Sequence, residues 1–96
     1  MSEQVLTDDQ IETAIENLNV AWSYIPGQGL VRVFETSSFG DGLRLVNQIA
    51  SIVEKQNHHP DITLRHDEVE LVSMTKDAGG VTQRDMDLAA AIDTLA

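Results

Sequence analysis

Proline and glycine residues interrupt this chain at three places and limit every helix or strand between them to a short length. They lie at Pro26-Gly27, at Pro60 directly after Asn57-His58-His59, and at Gly79-Gly80. Proline lacks a backbone N–H donor and restricts the residue before it, whereas glycine readily adopts turn conformations. The chain must therefore fold from short elements that are joined by tight turns.

Three segments carry the signals of amphipathic helices with capped starts. The first follows Thr7-Asp8-Asp9-Gln10, which has the form of a capping box, and we place it at about residues 8–18. The second follows Ser38 and covers about residues 39–54. The third opens at Thr82-Gln83-Arg84-Asp85, where the aspartate completes a second capping box.

The second of these helices carries two apolar stripes instead of one. The first stripe contains Phe39, Leu43, Val46, Ala50 and Val53, and the second contains Leu45, Ile49 and Ile52. A helix that is apolar on two sides usually buries both of them. One side should cover the sheet, and the other should pack on another helix or on a second copy of the chain. The second stripe, in a domain this small, predicts a homodimer or homotetramer.

Four segments that are rich in strand-forming residues lie in two pairs. They cover about residues 20–25, 30–34, 62–65 and 69–74. Turn signals separate the members of each pair, at Pro26-Gly27-Gln28-Gly29 and at Asp67-Glu68. The resulting order α-β-β-α-β-β-α predicts an α+β fold, with a four-stranded antiparallel sheet and three helices on one face.

Composition excludes several classes of function. The 96 residues suit a single domain, predicted to cover residues 1–96, with a formal net charge of −10. That charge repels phosphate backbones and anionic lipids, so we expect no nucleic-acid or membrane partner. The absence of cysteine excludes disulfides and thiolate chemistry. Met1-Ser2-Glu3-Gln4 lacks the character of a signal peptide, so a cytoplasmic location is expected.

The three histidines of the chain, His58, His59 and His66, fall close together. Histidine titrates near neutrality, so the group suggests proton transfer. A single histidine at a helix end often only caps carbonyls or packs its ring, but an adjacent pair before a proline is less readily explained in that way. A metal site that includes Asp61 or Asp67 is the alternative. Because adjacent side chains diverge and no familiar zinc spacing is present, we expect no metal.

The segment Glu54-Lys55-Gln56-Asn57-His58-His59-Pro60 resembles the signature of the pterin-4a-carbinolamine dehydratase family. The family pattern continues, at set distances, with an aromatic residue, a third histidine and an aspartate. The corresponding residues in this sequence are His66, Lys76 and Asp85. The resemblance is strongest over residues 54–93.

This resemblance implies a reaction. The family removes water from a 4a-hydroxytetrahydropterin and gives the quinonoid dihydropterin, which regenerates the cofactor of aromatic amino-acid hydroxylases. The pterin is the substrate, and no metal or organic cofactor is needed. An acid must protonate the leaving hydroxyl and a base must accept a ring-nitrogen proton, and groups that titrate near neutrality suit both tasks.

The resemblance also implies roles for individual residues. His58, His59 and Lys76 occupy its catalytic positions. The implied substrate-binding residues are Pro60, His66, Arg84 and Asp85. Lys76 departs from the family pattern, and a lysine ordinarily stays protonated near neutrality, which makes it a poor proton shuttle. His66 stands where an aromatic side chain normally shapes the pocket.

A second function, from a different class, fits these two departures. The resemblance includes relatives that act as protein-binding modules: animal members serve as dimerisation cofactors of a transcription factor, and members encoded near carboxysome genes are linked to Rubisco assembly. The chain would then be a catalytically inactive relative with a protein partner. The intact His58-His59-Pro60 and Asp85 favour the enzyme.

Overall fold

A computed structural model describes residues 4–95 of the chain. It has an α+β fold with the element order α-β-β-α-β-β-α, so the predicted fold class is confirmed. The elements are α1 (Asp8–Ile15), β1 (Ser23–Ile25), β2 (Gly29–Glu35), α2 (Phe39–Gln56), β3 (Asp61–Leu64), β4 (Glu68–Ser73) and α3 (Gln83–Asp93). Residues 1–3, on which the expected cytoplasmic location partly depends, lie outside the described residues. Within residues 4–95, no helix combines the length and apolar character that crossing a membrane requires.

The four strands form one antiparallel sheet in the spatial order β1-β2-β4-β3. Leu30 of β2 lies opposite Ser73 of β4, and Leu71 of β4 lies opposite Ile62 of β3. Since side chains alternate between the faces of a strand, this register places Ser73 on the same face as the buried residues Val69 and Leu71.

All three helices contribute to one core that covers a single face of the sheet. Ile11 of α1 is 1% exposed, and Ile49 of α2 and Ile92 of α3 are fully buried. They belong to the same apolar cluster as Leu30 and Leu71 of the sheet. The opposite face stays open, and its members include Val33, which is 42% exposed.

The predicted caps are present, but α1 is shorter than predicted. Both capping boxes form, with Thr7 and Gln10 at α1 and with Thr82 and Asp85 at α3. The predicted helix extended to about residue 18, whereas α1 ends at Ile15. After that point the hydrogen bonds span three residues instead of four, as in a 3₁₀ turn. Leu18 N–H, for example, donates to the carbonyl of Ile15 at 3.0 Å.

The first strand also begins later than predicted. Only Ser23–Ile25 pair with β2. Before them, the Asn19 side-chain oxygen accepts a hydrogen bond from Ala21 N–H at 2.9 Å, which stabilises a turn. Val20 is consequently 97% exposed and contributes nothing to the sheet.

The two apolar stripes of α2 do not divide as predicted. The helix faces the sheet through Gly42, Ile49 and Val53, all of which are buried. The open part of the helix is the start of the first stripe, with Phe39 54% and Leu43 46% exposed. The second stripe, which motivated the prediction of self-association, is therefore packed in the core at Ile49. The prediction of a homo-oligomer must rest on the exposed Phe39 and Leu43 instead.

Candidate active site

The end of α2, the end of β4 and the start of α3 meet around the histidine pair. Asn57 caps α2 in the left-handed conformation, with φ 50° and ψ 42°, which reverses the chain before His58. Arg84 of α3 donates a hydrogen bond to the carbonyl oxygen of Asn57 at 2.8 Å. The proline after the pair prevents the helix from continuing. These contacts hold the histidine pair against the amino-terminal end of α3.

His58 points into the protein, and its ring is tied to a buried carboxylate. The residue is 8% exposed, and Nε2 lies 2.6 Å from Oδ1 of Asp85. Asp85 is fully buried in the first turn of α3, where the helix dipole favours a negative charge. The histidine and the carboxylate therefore form a buried pair, in which His58 is the more exposed member.

The Asp85 carboxylate receives three further hydrogen bonds from its surroundings. The Ser73 hydroxyl donates to Oδ1 at 2.5 Å, and the Thr75 hydroxyl and the Thr82 backbone N–H donate to Oδ2 at 2.8 and 2.9 Å. His58 Nε2 completes the set of contacts to this carboxylate. Nδ1 is the ring nitrogen of His58 that does not contact Asp85.

Two neighbouring depressions open beside the pair and share His59, Met74 and Lys76. The larger one has a volume of about 340 Å³, and its other lining residues are Gly27, Gln28, Asp61 and Val72. The smaller one has a volume of about 200 Å³, and its other lining residues are Asn57, His58, Thr75, Asp77 and Arg84. The larger depression has Val72 and Met74 as apolar walls and a few polar groups, which is typical of small-molecule sites, whereas the smaller one is lined mainly by polar side chains.

Lys76 lies at the mouth of both depressions and pairs with Asp61. Its Nζ is 3.3 Å from Asp61 Oδ1, and the two side chains are 70% and 66% exposed. The ammonium group therefore remains hydrated and available to a ligand. The structure places a fixed positive charge where the family pattern has a histidine.

The structure brings most of the predicted site residues together. His58, His59, Lys76 and Arg84 line the smaller depression, and Asp85 lies directly behind His58. Asp85 is fully buried and does not line either depression, but His58 and Thr75, which line the smaller one, both hydrogen-bond to its carboxylate. Pro60 is half-buried; it ends the helical path and does not line either depression.

His66 is not part of this group. It lies in the turn between β3 and β4, its side chain is 87% exposed, and its nearest charged partner is Asp67 at 3.6 Å. β4 separates that turn from Ser73 by roughly 17 Å of strand. The spacing of His66 from the histidine pair matches the family pattern, but the β3–β4 turn in which it lies is at the opposite end of the sheet.

Sequence reasoning missed Ser73 and Thr75, and it considered Asp61 only as a possible metal ligand. The signal for Ser73 was available: it is a polar residue at an inward position of β4, in register with Val69 and Leu71. A buried hydroxyl requires a partner, and Asp85 provides it. Within residues 4–95, no three His, Asp or Glu side chains come together as a set that could hold a metal ion.

Comparison with known proteins identifies the family. The family model for pterin 4 alpha carbinolamine dehydratase matches residues 4–95. The chain belongs to this family. A relative from Acidobacterium capsulatum, which carries the provisional name pterin-4-alpha-carbinolamine dehydratase, is 42% identical over 90 residues, covering 94% of this chain and 96% of its own. The relationship to the dehydratases thus extends well beyond the histidine motif.

Two solved structures share the dehydratase fold. A transcriptional coactivator/pterin dehydratase from Brucella melitensis superposes with a TM-score of 0.87 at 26% identity, over 97% of this chain and 99% of its own. A pterin dehydratase-like protein described as a RuBisCO assembly factor in the α-carboxysome superposes with a TM-score of 0.59 at 20% identity, over 70% and 77%. The second similarity concerns the fold alone.

Proposed function

We propose that the protein is a hydro-lyase that converts a 4a-hydroxytetrahydropterin to the quinonoid dihydropterin by histidine acid–base catalysis. The observation that carries this proposal is the buried His58, held by Asp85 at 2.6 Å and bordering a depression that His59 also lines. An imidazole with one nitrogen fixed by a carboxylate keeps its other nitrogen in a defined position for proton transfer.

The proposed reaction needs two proton movements and no redox partner. The C4a–O bond breaks, and the leaving oxygen takes a proton and departs as water. The adjacent ring nitrogen gives up its proton, and its electron pair forms the new C=N bond. The imidazoles of His58 and His59 both border the depression, so we assign the two proton transfers to them.

Lys76 and Arg84 hold the substrate in this proposal. Both are cations that border the same depression, and the pterin carbonyl is an acceptor for either. The chemistry asks for no metal or organic cofactor, because the pterin is itself the substrate. Lys76 stands where the family pattern has a histidine, so the expected rate is measurable but low.

The proposal is tested by following the dehydration of a chemically generated 4a-hydroxytetrahydropterin with purified protein. The wild-type chain should accelerate formation of the quinonoid dihydropterin above the spontaneous rate. His66→Ala is the matched control, because it removes the one histidine that lies outside the site, and its rate should stay near that of the wild type. A wild-type rate equal to the spontaneous rate would contradict the proposal.

A second candidate function is protein binding without catalysis. Two observations favour it: the lysine at position 76, and the exposed Phe39 and Leu43 on α2. A structural neighbour is described as a RuBisCO assembly factor, so this fold is compatible with such a role in that protein. The same assay separates the two functions, because a binding protein would leave the spontaneous rate unchanged.

A further inference from the structure

The larger depression contains a carboxylate and an ammonium group side by side. Asp61 Oδ1 and Lys76 Nζ are 3.3 Å apart, and both residues line the 340 Å³ space together with His59. Asp61 is fixed by the sheet, since it begins β3 and lies opposite Val72, which lines the same space. A strand position of this kind fixes the backbone of Asp61 and places its side chain on the same face of the sheet as Val72.

An exposed ion pair would ordinarily contribute little to stability. Because the two side chains are 70% and 66% exposed, neither charge has been removed from water. Each can therefore turn toward a ligand while the other stays beside it. The pair then offers a hydrogen-bond acceptor next to a donor, at the edge of a space with Val72 and Met74 as apolar walls.

One edge of a pterin is complementary to this arrangement. The 2-amino group and N3–H are adjacent donors, and the 4-oxo group beside them is an acceptor. A carboxylate can accept from both donors at once, and an ammonium group can donate to the oxo group. We propose that Asp61 and Lys76 form the subsite that recognises the amino-oxo edge of the pterin, an inference that rests on the proposed dehydratase function.

The position of the subsite agrees with the chemistry proposed for the histidines. C4, which carries the oxo group, is bonded directly to C4a, the carbon that loses the hydroxyl. Lys76 and His59 line both depressions, so an oxo group held by Lys76 brings C4a toward His59 and toward the smaller depression that His58 lines. Asp61 is thereby assigned as a specificity residue: it accepts hydrogen bonds from the 2-amino group at C2 and takes no part in proton transfer.

The test compares two fluorescent heterocycles that differ only at C2. Pterin carries the 2-amino group, whereas lumazine carries an oxo group there and retains N3–H and the 4-oxo group. Binding of each to the full chain is measured by fluorescence titration, at a pH below the ionisation of either compound. The wild type should bind pterin about 10- to 100-fold more tightly than lumazine, because the lumazine oxo group would face the Asp61 carboxylate.

Two variants give distinct patterns. Asp61→Asn should remove most of that discrimination, because a side-chain amide can donate to the lumazine oxo group. Lys76→Met should weaken binding of both compounds while keeping their ratio, since both carry the 4-oxo group. Asp67→Asn is the control, because it makes the same charge change at the far end of the same hairpin and should leave both affinities unaltered.

The other possible results contradict the subsite, the proposed function, or both. Equal wild-type affinities for the two compounds, or discrimination that survives Asp61→Asn, would overturn the subsite. If dehydration is nevertheless accelerated, the proposed function stands and only the role of Asp61 fails. A wild-type chain that binds neither compound and does not accelerate dehydration would contradict both.

Discussion

Ser73 donates its hydroxyl hydrogen to the same Asp85 oxygen that contacts His58, at 2.5 Å. The residue is 1% exposed, and its neighbours in register on β4 are apolar. A single hydroxyl at an inward strand position thus determines how the carboxylate meets the imidazole. The buried charge is distributed over four donors, which offsets the desolvation of Asp85.

Ser73→Ala should therefore lower the stability of the fold. Hydrogen bonds to charged groups contribute roughly 1.5–3 kcal/mol each, so we expect a loss of that order in the free energy of unfolding by urea. Ser51→Ala is the matched control, because Ser51 is exposed on α2 and its replacement should change stability very little. Equal stability of the two variants would argue against a role of Ser73 in holding Asp85.

Lys76→His should increase the dehydration rate. The substitution restores a neutral-range titrating group beside His59, and one such group typically contributes about 10²–10⁴-fold to a rate. We expect a gain of roughly 10-fold or more in kcat, since the surroundings of position 76 are adapted to lysine. Lys55→His, on the exposed side of α2, should give no gain. A lowered or unaltered rate in Lys76→His would place proton transfer elsewhere.

Sequence reasoning succeeded for the residues whose positions follow from local rules. Asp85 was predicted at the third position of a capped helix, and it lies there. Its burial could not be predicted, because two of its donors come from elsewhere in the chain: Ser73 ends β4, and Thr75 lies just beyond it. His66 was placed by counting along the chain, although the predicted hairpin, with its turn at Asp67-Glu68, already put it at the far end of that strand pair.

At the scale of elements, the closeness of β2 to β4 depends on Gly29. This residue has φ 122°, and a Cβ there would overlap the carbonyl oxygen of Ser73. Gly27, in the adjoining turn, has φ 86° but has open space around it. The two glycines thus share a backbone requirement and differ in steric surroundings.

Alanine substitutions should separate these two effects. Gly27→Ala should cost about 1–2 kcal/mol in the free energy of unfolding, from the left-handed backbone alone. Gly29→Ala should cost about 1–3 kcal/mol more, because the added methyl displaces the end of β4. Thermal or urea unfolding of both variants measures the difference. Equal losses would show that β2 has room to move away from Ser73.

Capping boxes and turns were predictable because their signals are local. The orientation of α2 was not, because periodicity shows two apolar sides without showing which one meets the sheet. Gly42 lies on the side that meets the sheet: a Cβ there would lie 2.8 Å from Cδ1 of Leu64, and Val69 of β4 is also nearby. Its lack of a side chain allows the helix to approach β3 and β4 closely. A glycine carries no apolar signal, so the stripes alone could not reveal this contact.

At the scale of the whole molecule, the exposed Phe39 and Leu43 lie one turn apart on α2. In a domain of 96 residues, apolar surface of this kind favours association with another copy. We expect light scattering to give a mass above that of the 10.6 kDa monomer. Leu43→Glu should shift the protein to the monomer, whereas Gln48→Glu, on another side of the helix, should not. A wild-type chain that is monomeric at micromolar concentration would contradict the expectation.

The most direct measurement is the dehydration rate of His58→Ala relative to the wild type and to the spontaneous reaction. His58 is the buried imidazole that Asp85 holds at 2.6 Å, and its loss should lower kcat by about 10²–10⁴-fold. Circular dichroism of the variant verifies that the fold is retained. A rate above the spontaneous one in the wild type, lost in His58→Ala, is the predicted result. A folded His58→Ala protein with the wild-type rate would contradict the assignment of His58 as the catalytic group.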